Sequence, residues 1–193
     1  MLHDTVLHIR KAEKSDSVDI SRLIMLAMQD IVYAFIGVKS ESKATTFIQE
    51  LVETEENQYS YENCWVVEVN NKVIASAVLY DGANLSQLQK KVAKKIKDEF
   101  SVDFKPEAET QDGEFYLDCI AVNPLFHGKG IGSRLIHFLN EHIAQKNKMN
   151  LGLLVEKENH GAKKLYSKLG FQHIQEKMLA GFPMEHLQII NKI

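Results

Sequence analysis

Tyr116-Leu-Asp-Cys-Ile-Ala-Val-Asn-Pro124, followed at once by His127-Gly-Lys-Gly-Ile-Gly-Ser133, is the stretch on which the fold turns. The first part is an apolar run that reads as a buried strand, and the second opens a helix. Glycines at 128, 130 and 132 leave the turn without Cβ atoms. Several N–H groups can therefore approach an anion while the helix N-terminus adds its partial positive charge. The expected ligand is a phosphorylated cofactor. A nucleotide P-loop is excluded, because Lys129 is followed by Gly130-Ile131 instead of Ser or Thr and the spaced upstream glycine is missing.

Working outward, Ile131, Leu135, Phe138, Leu139 and Ile143 continue as a helix with one buried face, and Leu151 to Val155 is apolar enough for a central parallel strand. A short helix then buries Ala162, Leu165 and Leu169 and stops at Gly170. Phe171 to Leu179 and Met184 to Ile190 read as two last strands joined by Ala180-Gly-Phe-Pro183. Upstream, Val6 to Ala12 alternates as a first strand, and Ser15 or Ser17 is placed to cap a helix carrying Ile20, Leu23, Ile24, Ala27 and Ile31. Ala44, Phe47, Ile48, Leu51 and Val52 mark a second helix. Cys64 to Val69 and Val73 to Tyr80 flank Asn70-Asn71 as a hairpin. Between Asp81 and Asp112, Leu85, Leu88, Val92, Ile96 and Phe100 have helical spacing beside five lysines (90, 91, 94, 95, 97). This predicts an inserted helix or lid whose lysines form a solvated face. The order implies one α/β domain over residues 1–193, a mixed sheet with helices on both faces and an insert at about 81–112.

At 193 residues and 45% apolar content the chain can bury a sizeable core, and its net charge of −3 speaks against a nucleic-acid coat. Cys64 and Cys119 lie in apolar runs and read as reduced structural thiols. Met1-Leu-His-Asp-Thr lacks a basic region leading into an apolar segment, and no run reaches the ~18 apolar residues of a membrane span. A soluble cytoplasmic protein with neither nucleic-acid nor membrane partner is expected.

A second signature, Leu154-Val-Glu-Lys-Glu-Asn159-His-Gly-Ala162-Lys-Lys-Leu165-Tyr166-Ser-Lys-Leu169-Gly170-Phe171, follows the glycine turn. Together the two resemble the GNAT superfamily of acyl-CoA-dependent N-acetyltransferases, closely over residues 113–172. The resemblance implies a mostly antiparallel twisted sheet with a central parallel pair, and acetyl-CoA as co-substrate. It implies that His127, Gly128, Lys129, Gly130, Ile131, Gly132 and Ser133 hold the pyrophosphate, with His127 standing where the family pattern has Gln or Arg. Ile120, Ala121 and Val122 would pair with the pantetheine arm like an added strand, and Asn159 and Ala162 would contact the same arm. Tyr166 would protonate the leaving thiolate, and a backbone N–H near Cys119 or Ile120 would stabilise the oxyanion.

By the two-residue period Glu114, Tyr116, Asp118, Ile120 and Val122 share one strand face, so Glu114 and Asp118 are both candidates for the general base. Asp30, Tyr33, Tyr59, Tyr61, Glu62 and His186 are suggested around the acceptor by family analogy. The expected reaction is acetyl transfer to a primary amine, of a small molecule or a peptide, by direct attack in a ternary complex. The competing expectation is a non-catalytic acyl-CoA sensor, which needs the glycine turn but neither acid nor base. A metal is not expected, and the final edge strand is a place where two copies can meet as a homodimer.

Overall fold

The computed structural model describes residues 7–191. Val6 and the stretch Met1-Leu-His-Asp-Thr lie outside the described residues. Seven strands, β1 (His8–Lys11), β2 (Cys64–Val69), β3 (Lys72–Asp81), β4 (Glu114–Val122), β5 (Asn150–Glu156), β6 (Gln172–Leu179) and β7 (Phe182–Ile189), form one sheet in the order β1-β2-β3-β4-β5-β7-β6. Every neighbouring pair is antiparallel except β4 with β5. Helices α1 (Ser17–Ile36), α2 (Glu41–Val52) and α3 (Leu85–Phe100) cover one face, through Ile24, Phe35, Phe47 and Ile96. On the other face lie α4 (Ile131–Leu139) and α5 (His160–Lys168), over Leu135, Leu151, Val155 and Phe171. No single helix among the described residues is long and apolar enough to cross a membrane.

Local chemistry accounts for most element ends. Neither Ser15 nor Ser17 caps α1. The chain enters through one tight turn, where the Asp16 carboxylate accepts the Glu13 N–H at 2.8 Å, while the Ser17 hydroxyl donates to Glu53. The helix ends at Gly37 (φ 69°) and is broken inside at Met28, whose φ of −141° is not helical. Asn70 and Asn71 both take positive φ in the β2–β3 turn, as a two-residue hairpin requires. At the other hairpin the turn is only Ala180-Gly181, so Phe182 and Pro183, expected in the connection, already belong to β7. α4 ends at Leu139 and continues as a wider turn over Asn140–Ala144. Three of the five lysines of α3 are matched by acids: Lys91 by Glu56, Lys94 by Asp98, and Lys95 by Glu50 and Glu99. Exposed pairs of this kind contribute little to stability.

Three features shape the centre of the sheet: the expected parallel pair, which proves short, and two departures from the sequence expectations. β5 is parallel only to β4, and only where Glu114, Phe115 and Tyr116 meet Asn150, Leu151 and Gly152. It then leaves β4 and stays with β7 through Glu156, so the sheet opens into a V. Second, the β3–β4 register steps from Val78 opposite Cys119 to Leu79 opposite Leu117, which leaves Asp118 as the extra residue of a bulge. The shared face of Glu114, Tyr116, Asp118, Ile120 and Val122 is thereby corrected. Tyr116 packs with the α1–α3 layer, whereas Ile120 and Val122 pack with the α4–α5 layer, because one inserted residue flips the alternation. Third, Leu165 is 40% exposed and no residue of α5 is fully buried, since this helix borders an open groove.

Glu114 is 0% exposed. Its carboxylate accepts from His186 Nε2 at 2.9 Å, Gln188 Nε2 at 2.5 Å and Thr110 Oγ1 at 2.5 Å. Burial pushes its pKa up, but these donors win and hold it below the usual carboxylate range. Gly152 makes the room: a Cβ there would stand 1.9 Å from Glu114 Oε2. Gly152→Ala is therefore expected to cost about 1–3 kcal/mol, the range for overpacking a well-filled interior, read as a lower urea midpoint at unchanged slope.

Candidate active site

The glycine turn builds an anion seat from backbone alone. Gly128 and Gly130 sit at φ 73° and 71°, and nothing approaches within 4 Å of the Cβ that either would carry. The first backbone bond into α4 runs from the Arg134 N–H to the Gly130 carbonyl, and no side chain caps the helix. The N–H groups of Ile131, Gly132 and Ser133 are left without intrahelical partners at its positive end. They open onto a groove of about 400 Å³ floored by Ile120, Ala121 and Val122 and flanked by Leu165 and Tyr166. This cradle fits a pyrophosphate.

The side chains of the turn take other positions than expected. His127 Nε2 donates to the Val122 carbonyl at 2.7 Å, so the ring fastens the turn to β4 instead of reaching for a phosphate with that nitrogen. Lys129 places its ammonium 5.0 Å from the Phe126 ring centre. The Asn123 N–H pairs with the Ile74 carbonyl in β3. By antiparallel alternation Ala121 also turns its backbone groups to β3, while those of Ile120 and Val122 lie on the free edge of the V. An arm paired with β4 thus finds the backbone of Ile120 and the N–H of Val122. Ala121 contributes only its small side chain.

Where β4 and β5 part, a cavity of about 320 Å³ opens between them. Its walls include Asp118, Cys119 and Ile120 from β4, Leu153 to Glu156 from β5, and Leu26, Ala27, Met28 and Ile31 from α1 at its break. Asn159, Ala162 and Tyr166 close one side. Asn159 Oδ1 caps α5 by accepting the Ala162 N–H at 3.1 Å, a local role that fixes the helix start beside the cavity. Tyr166 borders both the cavity and the phosphate groove and stands edge-on to Phe171 at 5.5 Å. Burial pushes its phenol up to about 12, which keeps it protonated at neutral pH.

Of the two acids expected to serve as base, the structure brings only Asp118 to the cavity. Its Oδ2 accepts from Tyr80 Oη at 2.6 Å and Gln58 Nε2 at 2.9 Å, and burial raises its pKa above the ordinary Asp value. Glu114 is withdrawn behind it, with both oxygens engaged, so its base role is corrected to a structural one. The acceptor suggestions divide as well. His186 is buried on Glu114, Tyr59 is fully buried, Tyr61 donates to Glu55, and Glu62 accepts from the Glu56 N–H. Asp30 and Tyr33 border a neighbouring hollow with Ala180 and Phe182. Gln58, Tyr80 and Glu109, which surround Asp118, carry no sequence signal: two lie in irregular segments and one is an apolar-run tyrosine.

The family model described as Acetyltransferase (GNAT) family matches residues 34–171. A solved structure described as an acetyltransferase is 30% identical, with a TM-score of 0.77, over 94% of this chain and 97% of that one. An N-acetyltransferase from Staphylococcus aureus Mu50 is 24% identical, with a TM-score of 0.80, over 94% of this chain and 100% of that one. The PaiA N-acetyltransferase from Thermoplasma acidophilum, solved in complex with coenzyme A, shares the fold at 17% identity and a TM-score of 0.55, over 93% of this chain and 98% of that one. No curated protein sequence matches. The opened parallel pair, the bare helix terminus beside it and the match over most of the chain lead to one assignment: the chain belongs to the GNAT family of acetyltransferases, whose acetyl donor is acetyl-CoA.

Proposed function

We propose that the protein is an N-acetyltransferase that moves acetyl from acetyl-CoA to a primary amine by direct attack in a ternary complex. The observation that carries this reading is the position of Asp118 and Tyr166 on one cavity, which meets the phosphate groove at Tyr166. Acetyl-CoA supplies an activated acyl group on sulfur when bound. The chain's own residues do the rest. The N–H groups at the start of α4 hold the phosphates, and the free edge of β4 orients the arm. Asp118 attracts the acceptor's ammonium and takes its proton, leaving a neutral nucleophile. The Ile120 N–H, on the free edge, is placed to stabilise charge on the acyl oxygen. As the C–S bond breaks, Tyr166 donates its proton to the departing sulfur, and the proton that the new amide nitrogen sheds restores the phenol. Met28 and Ile31 from α1, with Leu179 and Met184, give the acceptor's carbons an apolar side to pack on, in a cavity that also presents polar groups.

Tyr166→Phe is expected to lower kcat by roughly 100- to 10,000-fold while acetyl-CoA binds as before, since general acid catalysis is worth about two to four decades; calorimetry with turnover assays separates the two, and unchanged kcat removes Tyr166 from the mechanism. Gly130→Asp sets a negative charge and a strained φ at the seat, so calorimetric binding of acetyl-CoA should vanish. Retained binding there means that the phosphates lie elsewhere. Because Asp118 must be ionised and its pKa is raised, kcat/KM should climb with pH to a midpoint above that of an ordinary aspartate. In Asp118→Asn this climb should disappear and turnover fall about 100-fold or more.

A further inference from the structure

Asp118 does not stand alone. Glu109, in the segment that returns from α3 to β4, is 4% exposed and lies behind it. One amide serves both acids: Gln58 Nε2 donates to Asp118 Oδ2 at 2.9 Å and to Glu109 Oε1 at 3.2 Å. Gln89 Nε2 from α3 donates to the same Glu109 oxygen at 3.1 Å, and Tyr116 Oη donates to Oε2 at 3.3 Å. Both oxygens of Glu109 are thus engaged, whereas the donors to Asp118 converge on Oδ2. Lys177 from β6 spends its ammonium on the backbone carbonyls of Ala108 and Glu109, at 2.7 and 3.0 Å. The remaining titratable neighbours are the buried phenols of Tyr59, Tyr80 and Tyr116 and the thiol of Cys119. Apart from Lys177, held on those carbonyls, only neutral amides, phenols and a thiol face two carboxyls in a dry nest, where a second charge is expensive.

We propose that Glu109 is a positioning residue for Asp118: through Gln58 it aims the Asp118 carboxyl at the cavity, and the two form a proton-accepting pair that shares one amide clamp. The proposal rests on the reading of Asp118 as base. In the step concerned, an N–H bond of the acceptor's ammonium breaks, the electron pair stays on nitrogen and the proton goes to Asp118. Glu109 keeps the pair's other proton on Oε2, where the Tyr116 hydroxyl accepts it in place of donating, and after product leaves the pair returns one proton to solvent. Burial, then the charge of Asp118, pushes Glu109 up to about 8, so the pair gains its second charge only near that pH. That charge makes Asp118 a stronger base and holds a cationic amine more tightly.

The test is Glu109→Gln, which keeps shape and removes the charge. In the wild type kcat/KM should rise in two steps, the second near pH 8. The variant should lose the second step and be roughly 10-fold slower above it, part of the two to four decades that general-base catalysis provides, while Glu109→Asp restores the step. Stability supplies a readout without substrate. Because the folded pKa is raised, Glu109 stabilises the fold below its unfolded value of about 4.3 and loses that contribution as pH rises through about 8. Glu109→Gln should therefore gain in thermal midpoint relative to the wild type as pH rises across this window. A variant with the wild-type pH profile, or a midpoint difference that does not vary with pH, overturns the proposal. If Asp118→Asn keeps full turnover the base reading fails, yet the stability profile still reports on the pair.

Discussion

The buried carboxylate of Glu114 is the constraint on which the rest of the sheet depends. It belongs to β4, occupies the space of the Cβ that Gly152 of β5 lacks, and takes its donors from His186 and Gln188 of β7 and from Thr110 at the end of the inserted segment. Three stretches distant in sequence, 110–114, Gly152 and 186–188, are thereby held at one point. Gln175 Nε2 donates to His186 Nδ1 at 3.4 Å, so the ring's proton sits on Nε2 and is directed at Glu114. Such a group is costly to bury and costlier to strip of its partners. It marks where the parallel pairing stands, and beyond Tyr116 and Gly152 the two strands are free to part.

The second constraint is the bulge at Asp118. An unbroken alternation would have sent every even-numbered residue of β4 to the same layer. The extra residue instead keeps Asp118 with Tyr80 and Gln58, and turns Ile120 and Val122 toward the glycine-turn groove. Groove and cavity therefore lie on the two sides of one strand edge and meet at Tyr166. Tyr166 and Asp118, the proposed acid and base, stand at a single opening although they belong to different local motifs.

The electrostatics of the opening follow from burial more than from charge pairing. Asp118 and Glu109 are both pushed up by burial, Glu109 also by the charge of Asp118, and their neutral donors offset only part of that. Tyr166 is pushed up by the same cause. A phenol that stays protonated and a carboxyl with a raised pKa thus share one cavity, the arrangement that the proposed acid and base need near neutral pH. The inserted helix matters here less for its lysines, three of which are matched by neighbouring acids, than for the segment that follows it, which brings Glu109 under Asp118.

The parts legible in the sequence are those whose cause is local. Glycines at 128 and 130 announce a backbone with positive φ and open approach, Asn159 announces the start of a helix, and the Asn70-Asn71 pair announces a hairpin, because each conformation is decided within a few residues. The apolar spacing of α1, α2 and α3 likewise reports one buried face per helix. Periodicity could not foresee the bulge, since nothing in Tyr116-Leu-Asp-Cys says that one residue will be unpaired; that follows from register against β3. It made Glu114 and Asp118 look equivalent, although a glycine in β5 and donors in β7 bury one of them while the other meets the cavity. Glu109 and Gln58 had no pattern to carry them at all. The sequence by itself determined the elements, the phosphate seat and the family; which acids meet the cavity was decided only by tertiary packing, because the solvation and pKa of a carboxyl depend on neighbours brought in from distant strands.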